Sequence, residues 1–168
     1  MDVIQPIGAM SEPCILKKVN DNIMTKIIAT IEARMTSNRL PGKVLLPALG
    51  MPMLNHLISR LKSVKSIDDI VIATTVNDAD QPIVNFAKEN RIHYFRGSEE
   101  DVMFRVIAAA ESMDAEIVVE ITGDCPIIDP DIVEQTIQMY IHNNVDYVSN
   151  GHIRCYPDGM DTQVFSLE

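Results

Sequence analysis

At 168 residues, 46% hydrophobic and 23% charged, the chain is long enough to bury a core and too apolar to be disordered. Its net charge of −10 argues against non-specific nucleic-acid binding, which needs Lys and Arg to displace counterions. No apolar run reaches bilayer length and no basic start precedes a long apolar stretch, so neither membrane insertion nor a secretory signal is expected, while three widely spaced cysteines without a Cys-x-x-Cys pattern suit a reducing, cytoplasmic setting.

Residues 1–23 have weak periodicity and carry Pro6, Gly8 and Pro13; they read as an appended tail or linker, with the domain starting at Met24. Residues 26–31 (KIIATI) form a short β-branched run suited to a strand buried on both faces, and a polar loop follows over residues 32–43. Pro52 stands where a first helical residue would, and Leu54, Leu57, Ile58 and Leu61 mark one helical face. Residues 69–75 (DIVIATT) make a second strand, Asp80 and Pro82 open a helix to about Asn90, and residues 92–95 make a third strand. Val102, Val106, Ala109 and Met113 space a further helix, ahead of a strand at residues 116–122 (EIVVEIT). Asp129 caps and Pro130 starts a helix reaching about His142, and strands at residues 145–148 and 160–165 complete the pattern. Alternating strands and helices predict an α/β fold, a Rossmann-like doubly wound and mostly parallel sheet. Ligands in such sheets lie at the carboxyl ends of the strands, which directs attention to residues 32–43 and 123–129.

The first of these loops holds Arg34, Ser37, Arg39 and Lys43, three cations and a hydroxyl close together in an acidic chain, with Thr36 adding a second hydroxyl. A triphosphate needs forked or point cations and small donors, so this composition suits one. It also suits a solvated basic loop in which Pro41-Gly42 makes a turn. Neither a Walker spacing nor a Gly-x-Gly-x-x-Gly run is present. In the second loop Asp124 follows an apolar strand, so its carboxylate is expected at the sheet edge, where a hard divalent cation takes one or two carboxylates plus ligand phosphates. Asp129 reads as an N-cap, and Cys125, with no matched His, as a small packing residue. A third cluster, Arg154, Tyr156, Asp158 and Asp161, suits either a polyhydroxylated acid or a surface turn. The four histidines do not group at metal-ligand spacing.

Ala33-Arg34-x-x-Ser37-x-Arg39-Leu40-Pro41-Gly42-Lys43 resembles the signature of the CMP-Kdo synthetase and acylneuraminate cytidylyltransferase family, in the branch of spore-coat polysaccharide biosynthesis protein F. Four further segments resemble that branch in the same order: RGSEEDV from Arg96, ITGDCP from Ile121, DYVSN from Asp146 and YPDGMD from Tyr156. The resemblance implies a nucleotide-diphospho-sugar transferase type of sheet and transfer of CMP from CTP to a sugar, in particular a sugar acid, with release of pyrophosphate in polysaccharide or glycan biosynthesis. It further implies that Arg34 and Lys43 hold the triphosphate, with Ala33, Ser37 and Arg39 beside them, and that Asp124 ligates Mg²⁺. By the same likeness Gly97 and Ser98 lie near the cytosine or ribose, and Arg154, Tyr156, Asp158 and Asp161 face the acceptor sugar. Such relatives are often dimers, and residues 154–165 could extend as an arm toward a second subunit in a homodimer.

The departures are specific. Glu32 replaces the usual Gln before Ala-Arg, Met35 and Thr36 replace small residues, and Met103-Phe104-Arg105 replaces Leu-Asp-Arg. A second metal-binding Asp comes later in this family, and the sequence ends at Glu168 before it, as in a C-terminally truncated member. A non-catalytic sugar-nucleotide-binding relative or partner subunit is therefore the alternative to an enzyme. A receiver-like signalling domain would need clustered aspartates after an early strand, where Glu32 and Arg34 stand instead.

Overall fold

The computed structural model describes residues 25–153 and 155–167; the expected tail over residues 1–23, and Arg154, lie outside the described residues. Three strands with almost continuous apolar sequence form the middle of the fold: β1 (Ile27–Glu32), β4 (Asp69–Thr75) and β6 (Ile117–Thr122). Each is buried along nearly its whole length, as parallel strands covered on both faces must be. With β5 (His93–Gly97), β7 (Tyr147–Ser149) and β8 (Gln163–Ser166) they make a six-stranded sheet in the order β5-β4-β1-β6-β8-β7. The first four strands run parallel, whereas β8 is antiparallel to both β6 and β7. The expected mostly parallel α/β sheet is present, with one antiparallel strand. The strand expected over residues 160–165 is present as β8, three residues later at its start, and it lies inside the sheet rather than in an extended arm, because Val164 has apolar partners on both sides in Val119 and Val148.

Side chains alternate across the sheet. Ile27, Ala29, Ile31, Ile72, Val119 and Ile121 point to one face, where α1 (Met53–Leu61), α2 (Gln81–Asn90) and α4 (Pro130–His142) bury their apolar stripes. The opposite face, carrying Ile28, Val71, Ala73 and Val118, is covered by α3 (Val102–Glu111) through Val106, Ala109 and Ala110. Toward its carboxyl end this second face turns polar: Thr30 and Glu32 of β1 stand beside Glu120 and Thr122 of β6. Asp129 caps α4 as expected, its carboxylate accepting from the Asp131 amide at 2.9 Å. Pro52 falls one residue before α1 rather than inside it. A hairpin of two-residue strands, β2 (Pro47–Ala48) and β3 (Met51–Pro52), separates the first loop from α1. Among the described residues no helix is long and apolar enough to cross a membrane.

The chain winds outward from β1 through β4 to β5, then crosses back to place β6 on the other side of β1. Loops leaving β1 and β6 therefore diverge, and the crevice between them is the switch point where such sheets bind ligands. Its base is a close approach of backbone to backbone. The Gly123 amide donates to the Glu32 carbonyl at 2.8 Å, and a Cβ on Gly123 would sit 2.5 Å from that oxygen. We expect Gly123→Ala to force the two strand ends apart, costing about 1–3 kcal/mol and lowering Tm by several degrees; an unchanged melting curve would show that the approach is not required.

Candidate active-site cleft at the strand switch point

The loop after β1 is held by its own backbone and by one buried acid. Gly42, at φ 70°, lets the chain turn so that its amide donates to the Met35 carbonyl at 2.8 Å. Asp80 stands at the N-cap of α2 but makes no side-chain cap there. Its fully buried carboxylate accepts instead from the Met35 amide at 2.6 Å and from the Thr75 hydroxyl, pinning the start of the loop to the sheet. Residues 43–45 then form a short 3-10 turn that carries Lys43 back toward the sheet, with Val44 buried behind it.

The result is a cleft of about 340 Å³ at the carboxyl ends of β1 and β6. Ala33, Arg34, Ser37, Arg39 and Lys43 line it from the first loop, and Gly123 with Asp124 from the second. Six residues singled out in the sequence, Ala33, Arg34, Ser37, Arg39, Lys43 and Asp124, thus line one cleft. Val102 and Arg105 of α3 close the side that the sequence pattern did not assign. A second hollow of about 570 Å³ lies at Tyr147, Ser149, Gly151 and His152 on the far strand. Although larger, it is lined among the described residues by His152 but by neither Lys, Arg, Asp nor Glu.

Both principal cations of the cleft already face acids. Lys43 Nζ donates to Asp124 Oδ2 across the crevice. Burial alone would raise the Asp124 carboxyl, but the hydrogen bond and charge of Lys43 outweigh it and hold the group below its ordinary value. Arg34 Nη1 lies 3.2 Å from Glu99 Oε1, which also accepts from the Thr36 hydroxyl at 2.8 Å, while Glu99 Oε2 accepts from the Asn77 amide. The Thr36 and Asn77 hydrogen bonds, with Arg34 adding charge, hold the Glu99 carboxyl below the usual range. Both ion pairs are partly solvent-exposed, and such pairs contribute little to stability.

Arg105 is the largest omission from the sequence reading. It is 2% exposed, and its guanidinium donates to the Ser98 carbonyl and faces Glu32 at 3.9 Å. Burial lowers its pKa, with Glu32 opposing, and it stays protonated at neutral pH. A Cβ on Gly97 would sit 2.9 Å from Arg105 Cγ, so the glycine makes room for this side chain. Gly97 and Ser98 themselves do not line the cleft; they abut it through Arg105 and Glu99. The one sequence signal for Arg105 is that it keeps the arginine of the family's Leu-Asp-Arg; helical spacing alone does not separate it from an ordinary exposed arginine.

The third sequence cluster sits apart from the cleft wall. Tyr156 donates from its hydroxyl to Gln135 Oε1 at 3.1 Å, on α4, and Tyr156, Asp158 and Asp161 are absent from the cleft lining. The cluster is tied to the second loop all the same, because the Asp129 amide donates to Met160 Sδ at 3.3 Å and the charge of Asp161 acts on Cys125. Cys125 is a buried packing residue as expected: its thiol lies 3.1 Å from the Thr122 hydroxyl, and burial pushes it above its ordinary value. Among the described residues no group of three or more His, Cys, Asp or Glu converges as a cage for a metal ion.

The profile of the Cytidylyltransferase family matches residues 28–156, a span that contains every element lining the cleft. The chain belongs to the cytidylyltransferase family. Spore coat polysaccharide biosynthesis protein SpsF of Bacillus subtilis is 34% identical over 128 residues, covering 74% of this chain and 53% of that protein. The structure of a cytidylyltransferase from Leptospira borgpetersenii superposes with a TM-score of 0.80 at 35% identity, over 84% of this chain and 60% of that one. A CMP:2-keto-3-deoxy-manno-octonic acid synthetase complexed with CTP superposes with a TM-score of 0.61 at 28% identity, over 73% and 51% of the two chains. The chain thus spans about half the length of the curated relatives it matches, and its sheet is the Rossmann-like one of nucleotide-sugar transferases.

Glu99 holds Arg34 and would compete for it with a phosphate bound in the cleft, so, should CTP bind there, Glu99→Gln is expected to tighten it roughly threefold or more while keeping an oxygen for Thr36. Weaker binding in calorimetry would mean that the carboxylate organises the loop rather than opposing the ligand.

Proposed function

We propose that the chain carries the nucleotide-binding part of a transferase that moves CMP from CTP to a sugar, with a sugar acid as acceptor, in the building of a surface polysaccharide. One observation supports this reading above the rest: Arg34, Ser37, Arg39 and Lys43 share a single cleft with Asp124 at the switch point of the sheet. The reading takes a reducing cytoplasm as the setting and a homodimer as the assembled form.

In the reaction an acceptor hydroxyl oxygen forms a bond to the α-phosphorus of CTP and gives up its proton to solvent, the bond from that phosphorus to the bridging oxygen breaks, and pyrophosphate leaves. Little covalent chemistry falls to the protein, so positioning and charge neutralisation supply the acceleration. Lys43 and Arg34 neutralise the β- and γ-phosphates and the charge that grows on the leaving group. Ser37 donates a hydroxyl, and Arg39 adds a further cation at the solvent side. The donor set fits Mg²⁺ carried on the nucleotide, since a hard cation binds through one or two carboxylates plus substrate phosphates and Asp124 offers the carboxylate. When bound there, such an ion withdraws charge from the α-phosphate. Asp124 would then exchange Lys43 for the metal, leaving the ammonium free for phosphate. In this reading Gly97 and Ser98 serve the cytosine or ribose from behind Arg105, and Tyr156, Asp158 and Asp161 serve the acceptor sugar.

The test is pyrophosphate release from CTP and Mg²⁺ with a panel of sugar acids, alongside melting curves with CTP. Saturating CTP is expected to stabilise the folded chain, by about 2.7 kcal/mol at a hundredfold excess over Kd. Lys43→Met and Asp124→Asn are each expected to lower turnover by about a hundredfold or more, with little change in Tm without ligand. CTP binding without turnover, in this chain and in a C-terminally extended one, favours the non-catalytic relative; no CTP effect on Tm overturns both.

A further inference from the structure

Beneath the cleft, on the face covered by α3, lies a group of side chains that the nucleotide reading leaves unused. Glu120 of β6 is in register with Thr30 of β1 and Gln163 of β8, and it is 6% exposed. Its Oε2 accepts from no donor among the described residues, and Thr30 Oγ1 beside it is likewise without a partner. The charged neighbour that Glu120 meets is Glu32, two residues along β1, and a carboxylate only accepts. Among the described residues, other elements bring no compensating cation to Glu120. Arg105 from α3 is turned to Glu32 and to the Ser98 carbonyl, β8 offers the uncharged Gln163, and the Tyr147 hydroxyl of β7 is engaged with Gln163. A buried carboxylate and a half-buried one beside a single guanidinium would leave an acceptor facing an acceptor, and a net negative charge under a site for a triphosphate. One proton removes both difficulties.

We propose that Glu120 is held as a neutral carboxylic acid that donates its proton to the Glu32 carboxylate, so that Arg105 faces a single shared negative charge at the floor of the cleft. Glu120 is thereby a positioning residue: it acts through Glu32 on Arg105, and Arg105 holds the turn at residues 98–99. Burial, first, and then the hydrogen bond and charge of Glu32 push the Glu120 carboxyl up to about 8. The sign follows from that direction. A raised value means that the folded chain favours the protonated acid, so this contribution to stability is full below the unfolded value near 4.5 and is lost as pH rises through about 8. Above that range a second charge appears under the cleft and opposes the nucleotide, so the consequence for CTP rests on the function proposed above.

Infrared difference spectra of wild type and Glu120→Gln at neutral pH test the proton itself, with no nucleotide present. A protonated-carboxyl band that Glu120→Gln removes, and that fades in wild type as pH rises through about 8, is the expected result; its absence from wild type overturns the proposal. Melting curves give a second reading, in which the Tm of Glu120→Gln relative to wild type climbs between pH 4.5 and about 8, whereas a constant difference contradicts it. CTP affinity of wild type should fall roughly fivefold from about pH 7.5 to about pH 9, a range in which phosphate is already ionised, and Glu120→Gln should abolish that fall. Equal declines in the two proteins would overturn the role under the cleft. A band present without CTP binding at any pH would leave the acid in place and overturn the nucleotide reading instead.

Discussion

The ends of β1 and β6 approach so closely that no side chain fits between them, and the hydrogen bond from Gly123 to the Glu32 carbonyl closes the gap. This contact sets where every other group of the cleft can be. It places the residue after Glu32 and the residue after Gly123 on opposite lips of one crevice, so that the cations of the first loop meet Asp124 of the second. A wider separation would leave Lys43 short of that carboxylate. Asp80 reinforces the arrangement from below by fixing the Met35 amide, which makes the loop an extension of the sheet rather than a loose strap.

Charge is the second constraint. A chain of net charge −10 repels an anionic nucleotide at long range, and the cleft answers by concentrating Arg34, Arg39, Lys43 and Arg105 in one place. Left alone, such a cluster would repel itself. Glu99, Asp124 and Glu32 each balance one of these cations, and the first two pairs are solvent-accessible enough to open when a ligand offers better partners. The Arg105 pair is different, since its guanidinium is buried and supports the fold of the adjoining turn. The same sign of charge therefore serves two purposes at different depths: exchangeable at the surface, structural beneath.

Much of this was legible in the sequence because the parallel strands are buried on both faces and so appear as unbroken apolar runs. The strand at residues 69–75 falls where its sequence puts it, and the two loops chosen as least core-like are the two that form the cleft. What escaped depends on partners distant in the chain. The hairpin of β2 and β3 has two-residue strands with little burial and turns through Leu49 and Gly50 at positive φ, a pair without the usual Asn-Gly signal. β8 enters antiparallel because the chain returns after β7 by a long turn instead of a helix, which strand–helix alternation does not foresee. Asp80 looked like a cap because caps and buried acceptors share a residue type and a position. Arg105 and Glu99 acquire their roles only when α3 is laid over the sheet.

The central claim is that nucleotide binds across the β1–β6 switch point and nowhere else on the sheet. Backbone amide shifts on titrating the labelled chain with CTP and Mg²⁺ test it most directly. The account predicts the largest shifts at Arg34, Ser37, Arg39 and Lys43 together with Gly123 and Asp124, on both lips of the crevice. Shifts confined to Tyr147, Ser149 and Gly151 at the opposite edge, or to only one of the two lips, would contradict it.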